Sequence, residues 1–129
     1  MIRRILVAVE DAAPALAAAR FAIDLATSLD AELGLVTVVV DDRDPRPILR
    51  HVTAMAVAAD VTPAVEITQE GRTAFQAILD AATTWGADVI VIGRSARRPS
   101  GRPYVGSQTE HVLEFSEIPV VVVPGRGPS

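Results

Sequence analysis

The sequence of 129 residues contains no cysteine, and all twelve of its basic residues are arginine. Without cysteine the chain has no disulfides, thiolate nucleophiles, Fe–S clusters or zinc ribbons. Without lysine it cannot supply a Walker-type lysine, a Schiff base or a lysine general base. Its two histidines, His51 and His111, are too few for a multi-histidine metal site. We find no positioned general base, so we expect no fast catalysis, and at most slow ATP hydrolysis.

The sequence also lacks a long uncharged run. Its longest stretch without a charged residue, residues 51–59, is nine residues long, whereas a membrane span needs about 20. Arg3 and Arg4 precede only five apolar residues before Glu10, too few for the core of a signal peptide. A net charge of −4 and a pI of about 5.1 argue against nucleic-acid binding. We therefore expect a cytoplasmic protein that binds neither nucleic acid nor a membrane.

Half of the residues are hydrophobic, and they form short runs that alternate with longer helical patterns. Strand-like runs lie at residues 4–9, 33–40, 64–68, 88–93 and 119–124. Helical patterns lie at residues 14–29, 48–59, 73–85 and 107–116. Strand runs that are apolar throughout indicate burial on both faces of a parallel sheet. The sequence predicts one α/β domain at residues 1–124, an open, parallel, five-stranded sheet with helices on both faces, and a flexible tail at residues 125–129.

Two local signals predict where helices begin and end. Asp11 precedes Pro14, so it is the expected N-cap of the first helix, with proline in the first turn. Gly86 follows the third helical pattern and is the expected stop of that helix. On the fourth helix, His111 is flanked by Glu110 and Glu114, which favours a solvent-exposed face.

The connection after the fourth strand is the strongest candidate for a binding site. Ligands of open parallel sheets bind beyond the carboxyl ends of the strands. The segment from Gly93 to Ser107 is rich in glycine and serine, contains no acidic residue, and leads into a helix. Its four arginines are Arg94, Arg97, Arg98 and Arg102. Free backbone N–H groups at the helix start, the helix dipole and a serine hydroxyl together favour a phosphate-bearing ligand. The alternative is a solvated loop in which Ser107 serves only as an N-cap.

Several short motifs together resemble the universal stress protein family. Gly93-x-x-Ala96, nine residues, then Gly106-Ser107 is similar to the phosphate loop of that family, G-x-x-G, nine residues, G-[S/T]. The runs ILVAVE at residues 5–10, QEG at 69–71, GADVIVIG at 86–93 and IPVVVVP at 118–124 also resemble the family. The resemblance extends over nearly the whole chain.

The resemblance implies a fold, a ligand and a partner. The fold would be Rossmann-like, of the adenine nucleotide alpha hydrolase type, with strand order 3-2-1-4-5. The ligand would be ATP or AMP, with or without Mg²⁺, and a homodimer would form through Val120–Val123. The apolar, β-prone sequence of that last strand independently favours pairing at a sheet edge.

The resemblance also assigns nucleotide-binding residues. They are Ala8, Glu10, Val38, Gly93, Arg94, Ala96, Arg97, Gly106, Ser107, Gln108 and Thr109. Val38 would contact adenine, and Glu10, where family members usually have aspartate, would lie beside the base or ribose. Gly93, Gly106, Ser107 and Thr109 would hold the phosphates and ribose.

One departure from the family pattern leaves two functions open. Ala96 stands in place of the second glycine of the loop, and a methyl group there costs about 1 kcal/mol if the position needs a positive φ. The first function is a nucleotide-binding regulatory switch in the stress response. The second is a dimeric interaction module with a vestigial phosphate loop, acting on an unknown protein partner.

Two other kinds of site are not supported. A phosphoacceptor receiver domain needs an aspartate after the third strand and a lysine after the fifth, and Gln69 and Pro124 stand there. Asp41, Asp42 and Asp44 could hold Mg²⁺, but acidic residues next to two prolines are typical of a solvated loop.

Overall fold

Strands and helices alternate along the chain in the computed structural model, which describes residues 1–10, 12–39, 43–70, 73–94 and 107–125. Within these ranges the strands are β1 (Arg4–Ala8), β2 (Glu32–Val38), β3 (Val65–Gln69), β4 (Val89–Gly93) and β5 (Val120–Val123). The helices are α1 (Ala13–Leu29), α2 (Arg46–Ala58), α3 (Ala74–Trp85) and α4 (Ser107–Phe115). The five strands form a parallel sheet in the order β3-β2-β1-β4-β5. The predicted fold class and strand order are confirmed.

The sheet is buried on both faces at its centre. Ile5 and Val7 of β1 pack with α1 and α2 on one face, and Leu6 packs with α3 and α4 on the other. All three side chains are fully buried. Because successive side chains of a strand point to opposite faces, a central strand must be apolar at every position.

The two edge strands are less buried than the apolar runs predict. In β3 the side chains alternate, with Ile67 half-buried and Glu66 exposed. The Glu66 carboxylate accepts a hydrogen bond of 2.7 Å from the Thr53 hydroxyl on α2. All four valines of β5 are half-buried. An edge strand has a neighbour on one side only, so its outer positions remain open to solvent.

Helix α1 approaches the sheet closely because its buried face consists mainly of alanine. Its buried residues are Ala15, Ala18, Ala19, Ala22, Ile23 and Ala26. The helix begins at Ala13, so its N-cap residue is Ala12 and not Asp11 as predicted; Asp11 lies outside the described residues. Pro14 is tolerated in the first turn because the N–H groups there have no partner within the helix.

The third helix ends as the sequence predicts. Gly86 adopts a φ of 81°, and its N–H donates to the Ala82 carbonyl at 3.0 Å. Glycine takes this left-handed conformation without steric cost.

A network of hydrogen bonds, which includes the Arg4–Glu32 ion pair, lies at the amino end of the sheet, opposite the candidate site. Asp88 Oδ2 accepts hydrogen bonds from the backbone N–H groups of Arg3 and Arg4, at 2.8 and 3.0 Å. These two donors hold the pKa of Asp88 below its ordinary value. The Arg4 side chain donates to Glu32 at 3.0 Å and to the Trp85 carbonyl at 2.5 Å. The network thereby ties β1, β2 and the end of α3 together.

None of the helices within the described ranges has both the length and the apolarity needed to cross a membrane.

Candidate functional site

The carboxyl ends of β1 and β4 mark the point where the strand order changes direction. From β1 the chain continues outward to β2 and β3, and it then returns to β4 and β5 on the other side. At such a switch point the connections diverge to opposite faces, which opens a crevice for a ligand. The candidate site is therefore the edge formed by the ends of β1, β2 and β4 and by the first turn of α4.

Further hydrogen bonds join the ends of β1 and β2, in addition to those of the strand pairing. The Val9 N–H donates to the Val36 carbonyl at 2.8 Å. The Thr37 hydroxyl donates to the Val9 carbonyl at 3.0 Å, and Thr37 is only 5% exposed. Thr37 therefore satisfies a backbone acceptor and fixes the spacing of the two strand ends.

Ala8, Glu10 and Val38, three of the predicted nucleotide-binding residues, lie at these strand ends. Ala8 and Val38 are half-buried and pack against the cluster under α3 and α4. The Glu10 side chain is exposed, while its carbonyl accepts the Ala12 N–H at 2.9 Å. That bond turns the chain sharply into α1.

Gly93 ends β4 directly against the first turn of α1. A Cβ atom at Gly93 would lie 2.5 Å from the Pro14 carbonyl carbon and 2.9 Å from the Ala15 nitrogen, and closer still to the Pro14 oxygen. A Cβ atom added at Gly125, which follows β5, would lie equally close to Pro14. Glycine is required at Gly93 because two backbones approach each other there.

The start of the long connection is fixed to the sheet as well. The Arg94 N–H donates to the Val123 carbonyl of β5 at 2.8 Å, and the Arg94 side chain is half-buried. The position of the first residue of this connection is thus set by the last residue of the edge strand.

The first turn of α4 is anchored by two side chains. Thr109 is 4% exposed, and its hydroxyl donates to the Gly93 carbonyl at 3.3 Å. Gln108 Oε1 accepts the backbone N–H of Phe75 at 3.0 Å. The Thr109 bond brings the two ends of the connection at residues 94–106 together at the switch point. The N-terminus of α4 therefore lies at the candidate site, and its first N–H groups have no acceptor within the helix.

The structure places most of the predicted residues at this one edge. Those described are Ala8, Glu10, Val38, Gly93, Arg94, Gln108 and Thr109, together with the backbone of Ser107. Ala96, Arg97 and Gly106 lie outside the described residues, as does the side chain of Ser107.

His111 is less exposed than its acidic neighbours in sequence suggested. It is half-buried, and its ring stacks on Phe75 with centroids 4.7 Å apart. Phe115, one turn further along α4, lies 5.9 Å from the same Phe75 ring. The spacing of His111 and Phe115 is the signal that could have indicated a shared face, since residues four apart are neighbours on a helix.

The described residues contain no cluster of three or more side chains suited to bind a metal ion. Asp44 pairs with Arg46 at 2.9 Å, and hydrogen bonds from Arg46 hold the pKa of Asp44 below its ordinary value. Asp41 and Asp42 lie outside the described residues. Asp44 is thus engaged in an exposed ion pair with a neighbouring residue.

The fold and the site define the class of this protein. It is an open α/β domain in which a helix begins at the switch point of the sheet. The model of the universal stress protein family matches residues 1–56 and 46–124. The chain therefore belongs to the universal stress protein family. A comparison with curated protein sequences gives no match.

Solved structures of universal stress proteins share the fold of this chain. A universal stress protein from Archaeoglobus fulgidus shares 23% sequence identity with a TM-score of 0.83, and the match covers 95% of this chain and 99% of that one. A universal stress protein in complex with cAMP shares 24% identity with a TM-score of 0.80, over 97% and 98% of the two chains. An Archaeoglobus fulgidus universal stress protein in complex with dAMP shares 21% identity with a TM-score of 0.75, over 95% and 99%.

Proposed function

We propose that this protein binds an adenine nucleotide at the carboxyl edge of β1, β2 and β4, and acts as a nucleotide-responsive regulator in the stress response. The observation that carries the proposal is the Thr109–Gly93 hydrogen bond, which brings the start of α4 to the switch point. A helix N-terminus at that place favours a phosphate group. The cAMP and dAMP complexes of the structural neighbours support adenine nucleotides as the ligand class.

The proposed roles follow the positions of the residues. Ala8 and Val38 are half-buried apolar residues on adjacent strands and would contact the adenine base. The exposed Glu10 carboxylate would accept hydrogen bonds from the ribose hydroxyls. The backbone at the start of α4 would bind the phosphates, with charge-assisted bonds from Arg94 and Arg97.

ATP and AMP are the proposed ligands, and Mg²⁺ would accompany ATP. The phosphate oxygens would supply most of its ligands, because Mg²⁺ in proteins is usually held by one or two carboxylates together with substrate phosphates.

A homodimer and a cytoplasmic location complete the proposal. Strand β5 pairs with β4 at the end of the sheet, and its four valines are all half-buried. A short apolar edge strand of this kind favours pairing with a second copy. Residues 1–124 would form the folded domain of each protomer.

A dimeric interaction module without a nucleotide is the second candidate. Three motif residues favour it because they already contact other parts of the protein: Gly93, Gln108 and Thr109. Ala96 in place of a loop glycine favours it as well. In this case the protein would act only through contact with a protein partner.

A calorimetric titration with AMP and with Mg-ATP at moderate salt tests the proposal. Saturable binding should weaken in Ser107→Ala and in Arg97→Gln, and Ala96→Gly should tighten it. Arg3→Gln is the matched control, because Arg3 is an exposed arginine at the opposite end of the sheet. Absence of binding at millimolar nucleotide would reject nucleotide sensing. Sedimentation of the same samples would then test whether the protein is a dimeric module.

A further inference from the structure

The first turn of α3 has no cap from its own N-cap residue. The Thr73 hydroxyl donates to the side chain of Gln76 at 2.9 Å and makes no hydrogen bond to the helix backbone. The first N–H groups of a helix have no acceptor within the helix, so they need one from elsewhere. For Phe75 that acceptor is Gln108 Oε1, at 3.0 Å, which comes from the first turn of α4.

Helix α4 contacts Phe75 a second time through its ring. His111 lies three residues after Gln108, on the same side of α4, and stacks on the Phe75 ring with centroids 4.7 Å apart. Phe75 is therefore held by its backbone through Gln108 and by its side chain through His111. These two contacts fix the first turn of α4 relative to the first turn of α3.

The opposite side of the same turn is fixed to the sheet. Thr109, next to Gln108, donates its hydroxyl to the Gly93 carbonyl. The start of α4 is thus held between α3 and the end of β4. A group of backbone N–H donors binds a phosphate more tightly when its geometry is set before the ligand arrives, because less order is imposed on binding.

We propose that Gln108 is a positioning residue that links the first turns of α3 and α4, so that phosphate binding at the start of α4 and order in the first turn of α3 stabilise each other. The inference rests on the proposed nucleotide-binding function. It assigns Gln108 to the protein backbone of α3 and not to the ligand. Because binding linkage is reciprocal, a ligand at α4 must then increase the protection of the Phe75 amide.

The test compares Gln108→Met with Gln76→Met. Methionine keeps the length of the side chain and removes the acceptor, and Gln76 is an exposed glutamine of α3 that accepts the Thr73 hydroxyl within its own first turn. Hydrogen exchange of the Phe75 amide should accelerate about fivefold in Gln108→Met and should not accelerate in Gln76→Met, which leaves the Gln108 acceptor in place. Gln108→Glu should retain the protection, because its carboxylate offers the same acceptor at a helix N-terminus.

Ligand binding separates positioning from a general loss of stability. AMP should bind about three- to tenfold more weakly to Gln108→Met, whereas adenosine, which has no phosphate, should bind as it does to the wild type. AMP should also slow exchange of the Phe75 amide in the wild type and not in Gln108→Met.

Three results would overturn the inference in distinguishable ways. Equal weakening of AMP and adenosine would mean that Gln108 only stabilises the fold. Unchanged AMP affinity in Gln108→Met, with a wild type that binds AMP, would reject the positioning role alone. A wild type that binds neither AMP nor adenosine would reject the proposed function, and the coupling with it.

Discussion

Replacing Gly93 with alanine tests whether this motif glycine serves the fold before any ligand is bound. The added Cβ would meet the backbone of Pro14 and Ala15, at 2.5 Å from the Pro14 carbonyl carbon and 2.9 Å from the Ala15 nitrogen. Real Cβ atoms essentially never approach another heavy atom within 3.0 Å. Since the obstacle is backbone, the first turn of α1 or the end of β4 must move.

The expected cost of Gly93→Ala follows from two opposing effects. Overpacking of a well-packed contact costs about 1–3 kcal/mol. Alanine in place of glycine in a strand recovers about 0.5–1 kcal/mol, because the unfolded chain loses less entropy on folding. We expect a net loss of about 1–2 kcal/mol in the free energy of unfolding, which corresponds to a urea midpoint lower by roughly 1 M.

Urea unfolding followed by circular dichroism, without nucleotide, measures this loss. Gly86→Ala is the comparison: its added Cβ meets only Arg4 Nη1, at 3.5 Å, but its φ of 81° makes alanine costly for a conformational reason. A Gly93→Ala protein as stable as the wild type that no longer binds AMP would refute the reasoning. Gly93 would then be needed for approach of the phosphate and not for contact with α1.

Substitutions at three further contacts extend these tests. An added Cβ at Gly34 would lie 2.8 Å from the Trp85 ring, so Gly34→Ala should cost about 1–3 kcal/mol, and the smaller ring of Trp85→Phe should remove most of that cost in a double-mutant cycle by urea unfolding. Thr37→Val leaves the Val9 carbonyl without its side-chain donor and should cost about 1–3 kcal/mol, whereas Thr37→Ser should retain most of the stability; equal unfolding midpoints would contradict this. The pKa of Asp88 in the folded protein lies below its ordinary value of 3.8. The ionised carboxylate therefore stabilises the folded protein above pH 3.8, and this stabilisation is lost as the pH falls through the folded pKa. Asp88→Asn should therefore lower Tm at pH 7, and the difference from the wild type should vanish at low pH; a constant difference would reject the assignment.

Much of the fold follows from the sequence because it depends on local patterns. Apolar runs long enough for one strand each, separated by helical repeats, identified every strand and helix of the described residues, with bounds within two residues. The pattern is informative for β1 and β4 because a central strand buries both faces. It was less accurate for β3 and β5, because position at the sheet edge depends on strand order and not on the run itself.

The location of the candidate site was also predictable, since the carboxyl edge of a parallel sheet is determined by topology. The internal contacts of individual side chains were not predictable. The motif assigns Gln108 and Thr109 to a ligand, and the structure shows in addition that they bond to Phe75 and Gly93. His111 was assigned to solvent because of the acids beside it in sequence, and it stacks on an aromatic ring of another helix.

The sequence by itself determined the fold class, the family and which edge of the sheet is the candidate site. Only the tertiary structure decided which groups meet there. Phe75 and Gln108 are 33 residues apart, and Gly93 contacts Pro14 from the other end of the domain. Such contacts depend on how closely helices pack on the sheet and on each other. That distance is set by all the packed side chains together and leaves no signature in the local pattern.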